Sequence, residues 1–461
     1  MKKSLRNHRL FFHRMGLLFL FIPLVVLIIS IILPDRGFSE KENRVLSSRP
    51  HLNGSQIASG GYEKQFETYE NDQFPLRDLW ITLKAETDRL MGKVEANGVY
   101  LGKSGYLMEE FKAPDQTQYD STVKAMTDFA KRHSDMKQYA LIAPNSVNIL
   151  SNKLPAFAPV EDQNVWLDSL ADSLTQAGVT FIDVRNTFKD HNMEDLYYHT
   201  DHHWTTQGAY YAYLQAAKDM EIDTSSDTYD KAPVTRSFQG TLSAKSGFRS
   251  GEKDEIDVFF PTGDNALSSV VNYVDEQKKS ASFYDTSKLD TRDKYALFFG
   301  GNHAQVKIST PTETDNTLLV LKDSYANSFV PFLAQHYRKI VMVDPRYYFG
   351  DLEQLIQVEN VQEILYLYNA NTFFADTSLE LALSNDTADQ NTDNTAPASD
   401  ESTSASDEQA SGQDTNASDD QTSDQDTNSS DDQASDQDTD SSDDQASSDS
   451  DTDTSDDQSE E

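Results

Sequence analysis

The pattern of apolar and polar positions changes character several times along the 461-residue chain. Gly16 to Leu33 is an apolar run, GLLFLFIPLVVLIISIIL, without a charge. It approaches the shortest length that spans a hydrocarbon core of about 30 Å. From Gly61 the apolar positions take a helical period, first Phe66 and Tyr69, then Leu79, Leu83, Leu90 and Met91, ending near Gly92. Val99–Leu101 and Tyr106–Met108, joined across Gly102-Lys103-Ser104-Gly105, predict a β-hairpin. Helix and strand patterns then alternate. Val123, Met126, Phe129 and Ala130 share a helix face, and Gln138–Ala143 is a short buried strand ending at Pro144-Asn145. Val165, Leu167, Leu170 and Leu174 mark a helix stopped at Gly178, and Val179–Val184 a strand. Thr205 caps a helix running to about Met220. The pattern weakens over about 221–290, an insertion with some strand character. Four apolar runs then predict strands: Tyr295–Phe299, Thr317–Leu321, Ile340–Val343 and Ile364–Tyr368. Runs that are apolar on both faces, with helical stretches between them, suit an α/β fold with a mostly parallel sheet covered by helices on both sides.

Charge sets the orientation of the first segment. Lys2, Lys3, Arg6, Arg9 and Arg14 precede the apolar run, so the N-terminus is expected in the cytoplasm and everything after Pro34 outside. The run ends in Leu33-Pro34-Asp35-Arg36, with no small-x-small cleavage pattern, which favours an uncleaved single-pass signal anchor over a removed signal peptide. The expected layout is a basic cytoplasmic segment (1–15), a membrane anchor (16–34), a juxtamembrane helical region (35–95), a main domain (96–378) and an acidic tail (384–461). The tail holds 26 acidic and no basic residues against a net charge of −38, so the body is only mildly acidic. SDQDTNSSDDQA at 423–434 is followed directly by SDQDTDSSDDQA at 435–446, a tandem repeat that cannot bury a core and is expected to be disordered. Nothing resembles a basic nucleic-acid footprint. The absence of cysteine excludes disulfides and thiolate metal sites, and fits an exported bacterial envelope protein.

The densest polar cluster is Tyr197-Tyr198-His199-Thr200-Asp201-His202-His203-Trp204, on a predicted loop before a helix. Two chemistries suit it. His199, Asp201, His202 and His203 could ligate a metal in a metal-dependent hydrolase. Alternatively, an imidazole and its orienting carboxylate serve a nucleophile elsewhere. A nucleophile is on offer: the strand Leu318–Leu321 is followed by Lys322-Asp323-Ser324 and then by a helical pattern, so Ser324 sits at a strand-to-helix turn beside backbone N–H groups. A serine needs a base for its proton, and that imidazole needs its tautomer held. The roles expected are Ser324 as nucleophile, His203 as base and Asp201 as orienting acid, with His202 the runner-up base. Tyr325, Asn302 and Asn145 are oxyanion candidates, and Arg346, Trp204 and His202 are candidates for contacting substrate. This chemistry calls for no metal and no cofactor.

Thr200-Asp201-His202-His203-Trp204-Thr205-x-x-Gly208 resembles the signature of the DHHW protein family. That family is similar to the SGNH-hydrolase-like domains of the alginate O-acetylation proteins. Glu42-Asn43-Arg44, Asp72-x-Phe74-Pro75-x-Arg77, Lys322-Asp323-Ser324-Tyr325-Ala326-Asn327 and Asp344-Pro345-Arg346-Tyr347-Tyr348 resemble it too. The resemblance implies a three-layer SGNH-hydrolase-like domain and a triad of Asp201, His203 and Ser324, with the Asp-His pair ahead of the serine. It also implies transfer or removal of acetyl groups on a cell-surface polysaccharide, with a membrane-bound acyltransferase as a partner. A glycan-binding or envelope-assembly protein on the same fold is the non-catalytic alternative.

Overall fold

The structure, a computed structural model, describes residues 2–39, 44–52, 54, 57, 59–248, 251, 253–262 and 268–384. The acidic tail with its tandem repeat, and Glu42-Asn43 of one expected motif, lie outside these residues.

The apolar run is part of a helix, Lys2–Ile32. Its segment Phe11–Ser30 has a mean hydropathy of 2.3, is unburied throughout, and is long and apolar enough to cross a membrane. The chain leaving it is tied down within a few residues. The Tyr69 hydroxyl donates to Asp35 (2.8 Å), and the Arg36 N–H donates to Gln73 Oε1 (2.9 Å). Tyr69 and Gln73 belong to the helix Gly61–Gln73, which is followed by the helix Arg77–Leu90. Two short strands, β1 (Phe38–Ser39) and β2 (Arg44–Val45), pair in the connection. The Ser47 N–H donates to the buried Asp72 carboxylate (2.8 Å).

The expected hairpin is present as β4 (Val99–Leu101) and β5 (Leu107–Glu109), extended by β3 (Glu95–Ala96) into an antiparallel three-stranded sheet. The main sheet starts with β6 (Lys137–Ala143) and β7 (Thr180–Phe181). A separate antiparallel pair follows, β8 (Tyr229–Phe238) and β9 (Asp254–Pro261), and then β10 (Val270–Tyr273), β11 (Lys278–Ser280), β12 (Gln305–Ser309), β13 (Thr317–Lys322), β14 (Lys339–Val343) and β15 (Glu363–Asn369). The eight-stranded order is β11-β10-β12-β14-β13-β15-β6-β7.

This corrects the mostly parallel expectation. The pairs β14–β13, β13–β15, β15–β6 and β6–β7 are parallel, but β12, β10 and β11 add an antiparallel wing. The wing was illegible in sequence because β12 is short and carries Lys307 in its middle, so it reads as polar. Conversely, Tyr295–Phe299 is no strand. It is a 3-10 turn, Lys294–Leu297, followed by a single bridge from Phe298 to Tyr284. Its aromatic side chains are buried by packing around the site instead of across a sheet. Only Thr180–Phe181 of the expected Val179–Val184 strand joins the sheet, at its edge.

Handedness distributes the helices. From β13 to β14 the chain steps one way along the sheet. From β14 to β15, and from β6 to β7, it steps the other way. Right-handed crossovers therefore put Ala326–Leu333 on one face and Leu352–Glu359 and Gln163–Gln176 on the other. Packing agrees. The helix Thr206–Asp219 lies against Ala326–Leu333, while Gln116–Arg132 lies against Gln163–Gln176 and reaches Glu353 through Arg132 (3.3 Å). Sheet strands β6, β13, β14 and β15 are buried on both faces, so the site at their carboxyl ends stands on a rigid base.

Gly208 shows how tightly Thr206–Asp219 is seated. A Cβ there would stand 2.4 Å from the carbonyl oxygen of Leu196, backbone that cannot swing aside. Gly208→Ala should destabilise the fold by about 1–3 kcal/mol, as overpacking in a dense core does, seen as a lower melting temperature with unchanged secondary structure at room temperature.

Candidate active site

The histidine loop is built between two anchors. A bridge pairs Tyr197 with Trp204, and the Thr205 N–H donates to the Leu196 carbonyl (2.9 Å). Thr205 then caps the next helix, its hydroxyl accepting from the Gly208 N–H (3.1 Å). Across the loop, the buried Asp254 carboxylate on β9 accepts the N–H of His199 (2.7 Å) and of Thr200 (2.9 Å), and also the Thr200 hydroxyl. The turn is thus held from outside by the Asp254 carboxylate and at its ends by its own backbone pairing.

The serine elbow is built the same way. β13 ends at Lys322, and Asp323 caps the turn: its carboxylate accepts the Tyr325 N–H (2.9 Å) and the Asn369 N–H (2.9 Å) at the end of β15. Burial raises the Asp323 pKa, against the pull of Arg346 and these N–H donors. Ser324 is left at the tip, before the helix Ala326–Leu333.

The two loops meet. His203 Nε2 lies 2.7 Å from Ser324 Oγ, and His203 Nδ1 lies 2.6 Å from Asp201 Oδ1. All three side chains are buried. Asp201 Oδ1 also accepts the His203 N–H (3.0 Å), and Oδ2 accepts the Thr241 N–H (2.7 Å) and hydroxyl (2.9 Å). Burial works to raise the Asp201 pKa, but His202, His203 and the Thr241 N–H outweigh it and hold the carboxyl far below the usual range. The Tyr295 ring stacks on the His203 imidazole, 3.7 Å between centroids and 13° between planes. Burial keeps its phenol neutral, so it presents a flat apolar wall. A hydroxyl, an imidazole and an ionised carboxylate in this sequence can pass the serine proton to His203 while Asp201 fixes the imidazole tautomer.

Residues 91–343 match the family model described as DHHW protein. The chain belongs to the DHHW protein family. Two solved structures share the fold, and a third is more distantly similar. A DHHW family protein from Eubacterium siraeum is 20% identical, with a TM-score of 0.53 over 62% of this chain and 96% of that one. PatB1 of Bacillus cereus, solved with a sulfonyl adduct, is 20% identical, with a TM-score of 0.50 over 61% and 97%. The O-acetyltransferase domain of Pseudomonas putida AlgJ is 14% identical, with a TM-score of 0.38 over 60% and 93%. No curated protein matches the sequence.

Other expected residues of the DHHW domain fall out differently. Trp204 is fully buried; its indole N–H donates to the Tyr325 carbonyl (3.1 Å) and Ser328 Oγ (3.0 Å), so it is a core wedge between loop and elbow and has no face for a sugar. Arg346 makes a two-pronged pair with Asp344 (2.9 and 2.7 Å), beside the buried Lys322, which ties its guanidinium to the end of β14. Tyr325 cannot lend its N–H to an oxyanion while Asp323 holds it. The Asn145 amide bonds Gln163, Asn369 and the Asn371 N–H, and Asn302 Oδ1 accepts from Lys322 and Asn327. Among the described residues, the Ser324 N–H donates to no group, which makes it a candidate oxyanion donor beside the nucleophile. His202 bonds Thr241 Oγ1 through Nδ1 (2.8 Å), while Ser324 is bonded by His203.

His199 turns to Asp254 and leaves the expected four-ligand set, but Asp201, His202 and His203 still offer ligand atoms within 4.8 Å of one another. Asp201 and His203 spend Oδ1 and Nδ1 on each other, so a metal there would compete with Thr241 for Oδ2 and with Ser324 for Nε2.

Gly240, Thr241, Asp254, Tyr295 and Asp323 went unassigned in sequence. The first three lie in the stretch expected to be an insertion. Gly240 carried a readable signal only in retrospect: a Cβ there would stand 2.2 Å from Asp201 Cβ, so the chain must pass the acid without a side chain.

A depressed carboxylate pKa contributes stability that is fully present above the unfolded value, near 3.8, and is lost as pH falls through the folded value. The stability of the native protein over Asp201→Asn should therefore shrink on acidification below about pH 4, as urea titrations across pH would record.

Proposed function

We propose that this chain is an extracytoplasmic, membrane-anchored O-acyltransferase or esterase of SGNH-hydrolase-like fold, acting on acetyl groups of a cell-surface polysaccharide through Ser324, His203 and Asp201. The observation that carries the reading is the unbroken chain from Ser324 Oγ through His203 to Asp201, buried and with every member bonded. The acetyl group, the glycan and the membrane-bound acyltransferase partner come from the family resemblance; the geometry supports acyl transfer in general.

In this reading His203 Nε2 takes the serine proton as Oγ attacks the acetyl carbonyl. The ester bond to the donor oxygen breaks, and His203 returns the proton to that oxygen. The acetyl-serine is then attacked by water or by a sugar hydroxyl, with His203 again the base, and the acceptor decides between hydrolase and transferase. The Ser324 N–H is the candidate donor to the oxyanion. Asp201 stays ionised throughout and stabilises the imidazolium.

Hydrolysis of p-nitrophenyl acetate by the full chain tests the proposal. Ser324→Ala should abolish turnover, and Asp201→Asn should lower it by a factor on the order of 10⁴. A sulfonyl fluoride should transfer its sulfonyl group to Ser324 Oγ with loss of HF, adding the reagent's mass less HF to the peptide containing Ser324, and inactivate the protein. Equal turnover by the native protein and Ser324→Ala would leave the non-catalytic glycan-binding reading, which the occupied amides of Tyr325 and Asn145 favour. The convergence of Asp201, His202 and His203 keeps a metal-dependent hydrolase as a further reading. Loss of turnover to a chelator, restored by zinc, would select it.

A further inference from the structure

The helix Arg77–Leu90 is apolar on two sides, and among the described residues only one of them packs against the body. Ile81 and Ala85 face the body, where Ile81 Cγ2 and Ala85 Cβ lie 3.3 and 3.5 Å from the position a Cβ on Gly247 would take. On the opposite side Leu76, Leu79, Trp80, Leu83, Leu90 and Met91 all stand exposed, from 51% at Trp80 to 88% at Leu90. At 100° per residue these six fall within one stripe about 120° wide. Six large apolar side chains in one exposed row are more than the scattered exposure of an ordinary surface.

The chain path says what covers the stripe. Arg36 lies four residues beyond the end of the N-terminal helix at Ile32, a reach of at most about 14 Å. It is bonded to Gln73 in both directions, N–H to Oε1 (2.9 Å) and carbonyl to Nε2 (3.0 Å). Leu76 follows Gln73 by three residues, a further reach of at most about 11 Å. The stripe therefore starts within a short tether of the point where the apolar helix ends.

We propose that this stripe lies flat in the outer surface of the membrane that holds the N-terminal helix, with Trp80 at headgroup depth and the leucines against the acyl chains. The inference rests on the anchor reading of that helix. It adds a second, peripheral contact that would fix the orientation of the domain, and hence of Ser324, relative to the bilayer.

The full chain in phosphatidylcholine vesicles, with and without dibrominated acyl chains, tests this through tryptophan emission. Trp204 is fully buried and Trp166 packs against Tyr119 and Phe374, so Trp80 is the indole on this stripe. Brominated lipid should quench the native emission, and Trp80→Phe should lose that quenching while still floating with the vesicles. A chain that floats but shows equal emission in both lipids overturns the docking and leaves the anchor standing. A chain that does not float overturns both. Because the chain has no cysteine, Leu83→Cys supplies a unique thiol. Disulfide-linked dimers of that variant, without quenching, would assign the stripe to a second copy and overturn the membrane contact.

Discussion

Two loops separated by 121 residues must be locked together, or no site exists. The lock is Trp204. Its indole fills the space between the histidine loop and the serine elbow and donates to Tyr325 and Ser328, while the Tyr325 hydroxyl donates back to the His202 carbonyl. Each loop thus satisfies polar groups that the other buries. Such reciprocal bonding makes the arrangement all-or-none, because separating the loops would strand several buried donors at once. The same requirement explains why the tryptophan of the motif is inside the protein and unavailable to a sugar.

Three buried carboxylates carry the rest. Asp254 gathers the N–H groups of the histidine loop, Asp323 gathers those of the elbow and of β15, and Asp201 takes Thr241 on one oxygen and His203 on the other. Burying an anion is costly unless donors surround it, and backbone N–H groups supply those donors without side-chain entropy. The scheme has a consequence for chemistry. The Tyr325 N–H, which might have faced an oxyanion, is already engaged in holding the Asp323 carboxylate, which leaves the Ser324 N–H as a candidate donor.

The N-terminal end follows a different logic. An apolar helix of membrane-spanning length is followed at once by residues bonded to Tyr69 and Gln73, so the helix Gly61–Gln73 is tied close to its end. An enzyme reading and a membrane-surface reading then share one constraint, since a substrate on the cell surface must reach a serine held at a set orientation to the bilayer.

Sequence alone determined what depends on local periodicity. The membrane-length run, the helix capped by Thr205, and the strands that became β6, β13, β14 and β15 were all legible, because burial on both faces leaves an unbroken apolar run. The D-x-H-W loop and the serine after β13 were legible as well, since each residue type has few uses at such a turn. Tertiary structure alone decided the antiparallel wing, where a lysine in β12 hides the strand, and the fate of Tyr295–Phe299, whose Tyr295 ring stacks on His203 instead of joining a sheet. It alone also chose Asp254, Thr241 and Gly240, placed Trp204 in the core and tied Arg346 to Asp344. Their roles are set by which groups must be neutralised or bonded once buried, and that depends on neighbours distant in the chain.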